Sequence, residues 1–131
     1  MLHLFDTFEG LPAPADLDNV KFHTGQFRSE LASVKRYLAD SRVEFHKGLF
    51  PGTASVVADR RFSFVHLDVD LYESTLAGLE FFYPRMSRGG IIISHDYVSA
   101  DGVNLAFQKF FESRPDPVIE LTGYQCMVVK L

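Results

Sequence analysis

Short apolar runs alternate with segments of helical spacing along the chain. The apolar runs predict four strands, which in chain order are LHLFD, VEFHKG, RFSFVHLD and GIIIS. The last of these is continuous and β-branched, which is typical of a central strand buried on both faces. Two further runs, VIEL and CMVVKL, flank a glycine-containing turn and predict an antiparallel hairpin at the end of the chain. Strands that alternate with helices indicate an α/β fold with a mostly parallel sheet.

Three segments between these strands have the spacing of amphipathic helices. The first is predicted over residues 26–40, with one apolar stripe formed by Phe27, Leu31, Val34 and Leu38. The second is predicted from about Ser74 to Tyr83, where Pro84 ends it. The third follows Asp101, a predicted N-cap, and its core-facing positions are Val103, Ala106, Phe107, Phe110 and Phe111.

Prolines and polar residues predict a loop over residues 11–19, because Pro12 and Pro14 exclude a regular helix there.

Composition and charge limit the number of domains and the kinds of partner. With 131 residues, 47% of them hydrophobic, the chain is expected to form a single domain over residues 1–131. Its net charge of −4 argues against nucleic-acid or anionic membrane partners, which require clustered positive charge.

The sequence shows no targeting signal, and together with its single cysteine this predicts a cytoplasmic protein. No apolar run approaches the roughly 18 residues of a membrane span, and the first residues lack the pattern of a signal peptide. Cys126 is the single cysteine, so we expect a buried free thiol of the kind found in a reducing compartment.

Polar residues follow three of the predicted strands. Asp6 ends the first strand, Asp68 ends the third, and His95 and Asp96 end the fourth. Ligands of open α/β sheets bind outside the carboxyl ends of the strands, so folding could bring these side chains to one rim. An acid after an early strand is suited to ribose hydroxyls, and carboxylates with an imidazole are suited to a divalent cation.

Each acid also has a simpler interpretation. Asp6 precedes Thr7 and could serve only as a turn or cap residue. Asp70 is assigned to a helix N-terminus, where the helix dipole favours acids. Asp68 directly follows an apolar strand, and partial burial there is costly unless the carboxylate is paired or binds metal. The Asp68–Asp70 spacing also occurs in phosphatases and glycosyltransferases, although Tyr72 departs from the phosphatase pattern.

The histidines and glycines carry weaker signals. His66 is interpreted as a hydrogen-bonded core histidine, and the spacing of His3, His23 and His46 suggests no metal ligand. We interpret Gly89 and Gly90 as a tight turn, because no glycine-rich nucleotide-binding motif occurs in the sequence.

Four segments in the same order resemble the macrocin O-methyltransferase family: LFDTFEGLP, HLDVDLYEST, YPRMSRGGIIISHDY and GVNLAFQKFF. Members of this family are class I enzymes that use S-adenosylmethionine to methylate sugar hydroxyls in natural products. The resemblance therefore implies a Rossmann-like methyltransferase fold and a small-molecule hydroxyl acceptor.

The resemblance also implies roles for individual residues. Asp6 matches the acid that binds the cofactor ribose, and Asp68 matches a metal ligand that is also placed to act as the catalytic base. His95 and Asp96 match the pair that completes a site for Mg²⁺ or another divalent cation. His95 stands where Asp is commoner, and magnesium prefers oxygen ligands. The implied metal lowers the pKa of the acceptor hydroxyl and orients it toward the methyl group.

One departure from the family concerns the front of the sheet. Family members carry a central first strand and a glycine-rich loop before the strand that matches LHLFD, and this sequence is expected to lack both. The strands of Asp6 and Asp68 then either pair directly or leave a gap for a partner chain, so a homo-oligomer is expected. The alternative function is a catalytically silent methyltransferase-like module with an assembly or metal-binding role.

Overall fold

The computed structural model describes residues 1–18, 21–39 and 42–131. Six strands and three helices alternate along these ranges, with short 3₁₀ turns at Ala54–Val57 and Tyr83–Arg85. In chain order they are β1 (Leu2–Asp6), α1 (Leu31–Tyr37), β2 (Val43–Lys47), β3 (Phe62–Leu67), α2 (Tyr72–Phe82), β4 (Met86–Ser94), α3 (Asp101–Phe111), β5 (Ile119–Glu120) and β6 (Cys126–Val129).

The strands form two hydrogen-bonded sheets. β1 and β2 pair in parallel, and the other strands form a sheet in the order β3-β4-β6-β5. β3 and β4 are parallel, whereas β6 is antiparallel to both β4 and β5. The predicted α/β class, the central position of β4 and the terminal antiparallel hairpin are therefore confirmed.

β1 and β3 do not pair with each other in the described part of the chain. Direct pairing of the strands that carry Asp6 and Asp68 was one of two alternatives open from the sequence, and it is wrong. Aromatic side chains connect the two-stranded sheet to α2 instead: the ring centroid of Phe5 in β1 lies 6.2 Å from that of Phe82 in α2. Phe50 also stacks on Phe82, at 5.3 Å.

The core lies between the four-stranded sheet and the helix pair α2 and α3. Phe107, Leu79, Ile92 and Val128 are fully buried in one cluster. As predicted, the apolar face of α3 is the best-defined helical face, since all five of its predicted core-facing positions are buried. The pair β3–β4 rests on it and carries the residues predicted for the metal site.

The helix boundaries differ from prediction. α1 has only seven residues, none of them buried. Phe27, predicted for its apolar stripe, has a positive φ of 63° and is exposed, so it lies outside the helix. The last predicted residue, Asp40, lies outside the described residues. α2 begins at Tyr72, two residues early, and passes into the 3₁₀ turn at Pro84. The N-cap of α3 is Ala100, so Asp101 is its first helical residue.

Two local predictions are wrong. Gly89 and Gly90 lie inside β4, where Gly89 has φ 79° and the pairing with β3 shifts register, so they form a strand irregularity rather than a tight turn. His66 is exposed instead of buried, because it lies on the same uncovered face of β3 as Phe64. Val65 and Leu67, on the opposite face, are buried in the core.

Cys126 is fully buried in β6, and this burial raises the pKa of its thiol to about 12. The predicted buried thiol is confirmed. None of the helices in the described ranges has the length and apolar character that crossing a bilayer requires.

Candidate functional site

Three of the residues predicted for the metal site meet at the carboxyl ends of β3 and β4. The parallel register pairs Leu67 with Ser94, so the next residues, Asp68 and His95, are neighbours. His95 Nδ1 lies 3.6 Å from Asp68 Oδ1 and 2.7 Å from Asp96 Oδ2. The potential ligand atoms of Asp68, His95 and Asp96 all lie within 4.8 Å of one another.

Asp70 belongs to the same cluster, although the sequence assigned it to a helix terminus. It precedes α2 without capping it, and a hydrogen bond joins its carboxyl group to that of Asp96. Burial, followed by the proximity of Asp96 and then Asp68, raises the pKa of Asp70 to about 7. The spacing of Asp68 and Asp70 after one apolar strand was the signal that could have placed both acids in the site. We name Asp68, Asp70, His95 and Asp96 the rim cluster.

Hydrogen bonds also shift the pKa values of Asp96 and His95 in the rim cluster. Burial alone would raise the pKa of Asp96, but bonds from Ser99, His95 and Asp70 lower it. Ser99 Oγ donates to Asp96 Oδ1 at 2.5 Å. The bond to Asp96 is also the main cause of the raised pKa of His95. The Asp96 carboxylate, whose pKa is lowered, thus lies between two groups whose pKa values are raised, the His95 imidazole and the Asp70 carboxyl group.

The donors of the rim cluster fit a divalent cation. Three carboxylates and one imidazole share a small, partly solvated rim, and like charges this close raise the energy of the fully ionised state. Carboxylate oxygens are the ligands preferred by magnesium, and a water-filled outer shell suits the half-exposed Asp68. Asp68, His95 and Asp96 would hold such an ion, with Asp70 beside them and hydrogen-bonded to Asp96.

A loop that the sequence did not connect with the site supports the rim. Asp18 Oδ1 accepts a hydrogen bond from the backbone N–H of Tyr72 at 2.6 Å, so an acid 54 positions away caps α2. Lys21 Nζ donates to the carbonyl oxygen of Ser99 at 2.8 Å. The loop therefore contacts the segments that follow both β3 and β4. No local pattern around Asp18 indicates this role, because its partner is distant in sequence.

Asp6 lies outside the rim cluster, at the end of β1 in the other sheet. Its Oδ1 accepts a hydrogen bond from the backbone N–H of Phe8 at 2.5 Å, which is the turn contact considered from the sequence. Phe8 is buried with φ 55°, and Thr7 Oγ1 donates to the carbonyl oxygen of Gly10. The turn gives the Asp6 carboxylate a fixed position on β1.

Two clefts in the described residues are lined by no member of the rim cluster. One, of about 540 Å³, runs along α3 and the segment 114–118. The other, of about 260 Å³, lies between the loop of Pro12 and Asp18, the turn at Phe50 and the start of α2. Asp18, which caps α2, is among the residues that line the second cleft.

Comparison with known proteins gives a family and relatives with assigned activities. The family model described as macrocin-O-methyltransferase (TylF) matches residues 1–123. A Streptomyces olivaceus protein, the 8-demethyl-8-(2,3-dimethoxy-alpha-L-rhamnosyl)-tetracenomycin-C 4'-O-methyltransferase, is 38% identical over 133 aligned positions, which cover 90% of this chain and 50% of that protein. The mycinamicin III 3''-O-methyltransferase of Micromonospora griseorubida is 31% identical over 70% of this chain and 42% of its own length. The chain thus spans about half the length of these relatives.

Solved structures share the fold. The O-methyltransferase NovP superposes with a TM-score of 0.85 at 22% identity, covering 98% of this chain and 59% of NovP. The calicheamicin methyltransferase CalS11 gives a TM-score of 0.78 at 24% identity, over 97% of this chain and 59% of CalS11. The α/β sheet with parallel strands is therefore that of known methyltransferases. Taken with the match of the family model to nearly the whole chain, this shows that the chain belongs to the macrocin O-methyltransferase family.

Proposed function

We propose that this chain carries the metal-binding and part of the cofactor-binding machinery of an S-adenosylmethionine-dependent O-methyltransferase. The observation that carries the proposal is the meeting of Asp68, His95 and Asp96 at the ends of two adjacent parallel strands, in a chain of this family. The acceptor is a hydroxyl of a sugar or another small molecule. Support for a sugar comes from the tetracenomycin relative, which is named for a rhamnosyl compound.

Asp68 is the proposed catalytic base. Its side chain is about half exposed, and its Oδ1 faces His95 Nδ1 at 3.6 Å, so it is open to an acceptor from the solvent side. A divalent cation, when bound, supplies a Lewis acid that lowers the pKa of the acceptor hydroxyl. Asp68 then accepts the hydroxyl proton while His95, hydrogen-bonded to Asp96, stays fixed beside it.

Asp6 is the proposed ribose-binding residue. Its Oδ1 is used by the turn at Phe8, which orients the carboxylate for ribose hydroxyls as hydrogen-bond donors. Asp6→Asn keeps the turn acceptor but removes the charge that strengthens such bonds. We expect it to weaken S-adenosylmethionine binding without changing the affinity for magnesium.

Calorimetric titration with S-adenosylmethionine, with and without Mg²⁺, tests the proposal. We expect cofactor binding, and methyl transfer from labelled cofactor to rhamnosyl glycosides that requires Mg²⁺ and is lost in Asp68→Asn. Asp59→Asn, a change at an exposed acid away from the rim, is the matched control. Magnesium binding without cofactor binding or methyl transfer would contradict the enzyme and favour the silent metal-binding module.

We further propose that a partner chain fills the gap between β1 and β3, so that the chain forms a homo-oligomer. Support comes from the edges of these two strands, which pair only with β2 and β4 in the described ranges, and from the exposed Phe64 on β3. For the chain by itself, we expect self-association through these edges. Sedimentation velocity checks this, and Phe64→Glu should shift the chain toward monomer. A parent chain that stays monomeric at all concentrations would contradict self-association.

The cellular location follows as a proposal from the free thiol. Cys126 is buried without a disulfide partner, which is typical of proteins in a reducing compartment. We therefore assign the chain to the cytoplasm.

A further inference from the structure

Two histidines and a glutamate form a second cluster, on the two-stranded sheet. The parallel register pairs His3 of β1 with Glu44 of β2, and His46 lies two residues beyond Glu44 on the same face of β2. No sequence pattern connects these residues, because 41 positions separate His3 from Glu44 and only strand pairing aligns them. The cluster is separate from the rim cluster, with which it shares no residue.

The ligand atoms of this second cluster converge. His3 Nδ1 lies 3.1 Å from His46 Nε2 and 3.3 Å from Glu44 Oε2, and His46 Nε2 lies 4.0 Å from Glu44 Oε2. A tetrahedral zinc ion with bonds of about 2.0–2.1 Å has its ligand atoms about 3.3 Å apart. Three potential donors therefore already have nearly the spacing that one such ion requires.

The two imidazoles lie in partly buried surroundings. The side chains of His3 and His46 are only 17% and 13% exposed, whereas that of Glu44 is 51% exposed. The ring of His46 stacks on the rings of both His3 and Phe5, with centroid distances of 5.3 and 4.5 Å respectively. Partial burial and these ring contacts therefore hold the two imidazoles in position.

We propose that His3, Glu44 and His46 form a site for a transition-metal dication of the zinc class, distinct from the magnesium-type rim cluster. Two imidazoles and one carboxylate are a common ligand set for zinc, with the remaining position left to water. Imidazole also selects against magnesium, which prefers oxygen ligands. The half-exposed Glu44 leaves the open position on the solvent side.

The proposed site joins β1 to β2. A two-stranded sheet is marginal by itself, and one ion bound by both strands would stabilise their pairing. β1 also carries Asp6 at its end, so the ion would hold the strand of the proposed ribose-binding residue in place. The ion would therefore stabilise this part of the fold while its water position stays open to solvent.

Zinc titration of the chain, prepared without a histidine tag, tests the site. The titration uses the Asp68→Asn background, which weakens the rim cluster as a competing site. We expect one equivalent of Zn²⁺ to bind at micromolar or lower concentration and to raise the melting temperature. His46→Gln should weaken binding by at least about 100-fold, since even changes outside the ligand shell commonly cost 10–100-fold. Co²⁺ should give the intense visible absorption of a tetrahedral site.

His23→Gln is the matched control, because His23 is an exposed histidine outside the cluster. It should leave zinc affinity unchanged. Glu44→Gln changes a half-exposed side chain, so it tests the same ligand set if His46→Gln fails to fold. Unchanged zinc affinity in Glu44→Gln, or an equal loss in His23→Gln, would overturn the proposal and leave the trio as hydrogen-bonded side chains only.

Discussion

Asp70 and Asp96 share a hydrogen bond, and both have a backbone φ of 59°. Each lies just beyond the carboxyl end of one of two adjacent parallel strands, in the left-handed region that few residues other than glycine, Asn and Asp adopt. Backbone strain and two acids in contact are both unfavourable for folding. Such a concentration of unfavourable features is typical of functional sites, where a ligand offsets them.

Asp70→Asn should therefore change stability and metal binding in opposite directions. The pKa of Asp70 is raised to about 7, so its ionisation destabilises the fold progressively as the pH rises from about 4 toward 7. Asn tolerates the same positive φ and carries no charge. At pH 8 without divalent ions, we expect the free energy of unfolding of Asp70→Asn to exceed that of the parent by about 0.5–2 kcal/mol.

In the same variant, magnesium affinity should fall at least about tenfold, as measured by calorimetry. Asp59→Asn should change neither quantity. Lower stability of Asp70→Asn at pH 8, with magnesium affinity intact, would remove Asp70 from the site.

Gly102→Ala should destabilise the protein, although alanine is normally the better helix former. A Cβ at residue 102 would lie 2.2 Å from Asp18 Oδ1 and 2.9 Å from the backbone nitrogen of Tyr72. The bond between Asp18 and Tyr72 that caps α2 would have to shift. Overpacking of this kind costs about 1–3 kcal/mol, more than the roughly 1 kcal/mol gained in propensity.

A double-mutant cycle with Asp18→Ala checks that this contact is the cause. Removing the carboxylate relieves the closest clash, so Gly102→Ala should cost less in the Asp18→Ala background by chemical denaturation. Equal costs in the two backgrounds would show that Asp18 does not set the limit at Gly102.

Phe107→Ala should cost about 3–5 kcal/mol of unfolding free energy, because Phe107 is fully buried in the core face of α3. Phe27→Ala removes the same atoms from a side chain that is 65% exposed. It should cost less than about 1 kcal/mol on the same denaturation curve. Similar losses in both variants would contradict the burial difference.

Asp116→Asn should lower the free energy of unfolding at neutral pH and make it less dependent on pH in the acid range. Asp116 is buried and accepts hydrogen bonds from the Tyr83 hydroxyl and the Leu131 N–H, with Lys130 Nζ 3.9 Å away. Burial alone would raise the pKa of Asp116, but these partners lower it. Its contribution is therefore present above the ordinary Asp pKa of about 3.9 and is lost as the pH falls through the lower folded value.

Urea denaturation across the acid range measures this effect. We expect Asp116→Asn to lose about 1–3 kcal/mol at pH 7, and the difference from the parent to shrink below pH 4. Asp16→Asn, at an exposed acid, should follow the parent throughout. A constant difference at every pH would mean that the charge of Asp116 has no role.

The sequence by itself determined the elements whose signals are local. A β-branched run such as that around Ile92 has little freedom to be anything but a buried strand, and the spacing of Val103, Phe107 and Phe110 has one helical face. Because parallel strands end at a common edge, the meeting of Asp68 with Asp96 was also predictable. The family resemblance rested on the same contiguous segments.

Tertiary structure alone decided whatever depended on partners distant along the chain. Asp70 entered the rim because the chain turns at a positive φ before α2, which sequence periodicity does not encode. The role of Asp18 arises from a contact 54 residues away. His3, Glu44 and His46 share a face only because β1 and β2 pair in one register, and a shift of one residue would turn the side chains of one strand to the opposite face. Local propensity fixes elements, but strand register and long-range capping fix which side chains meet.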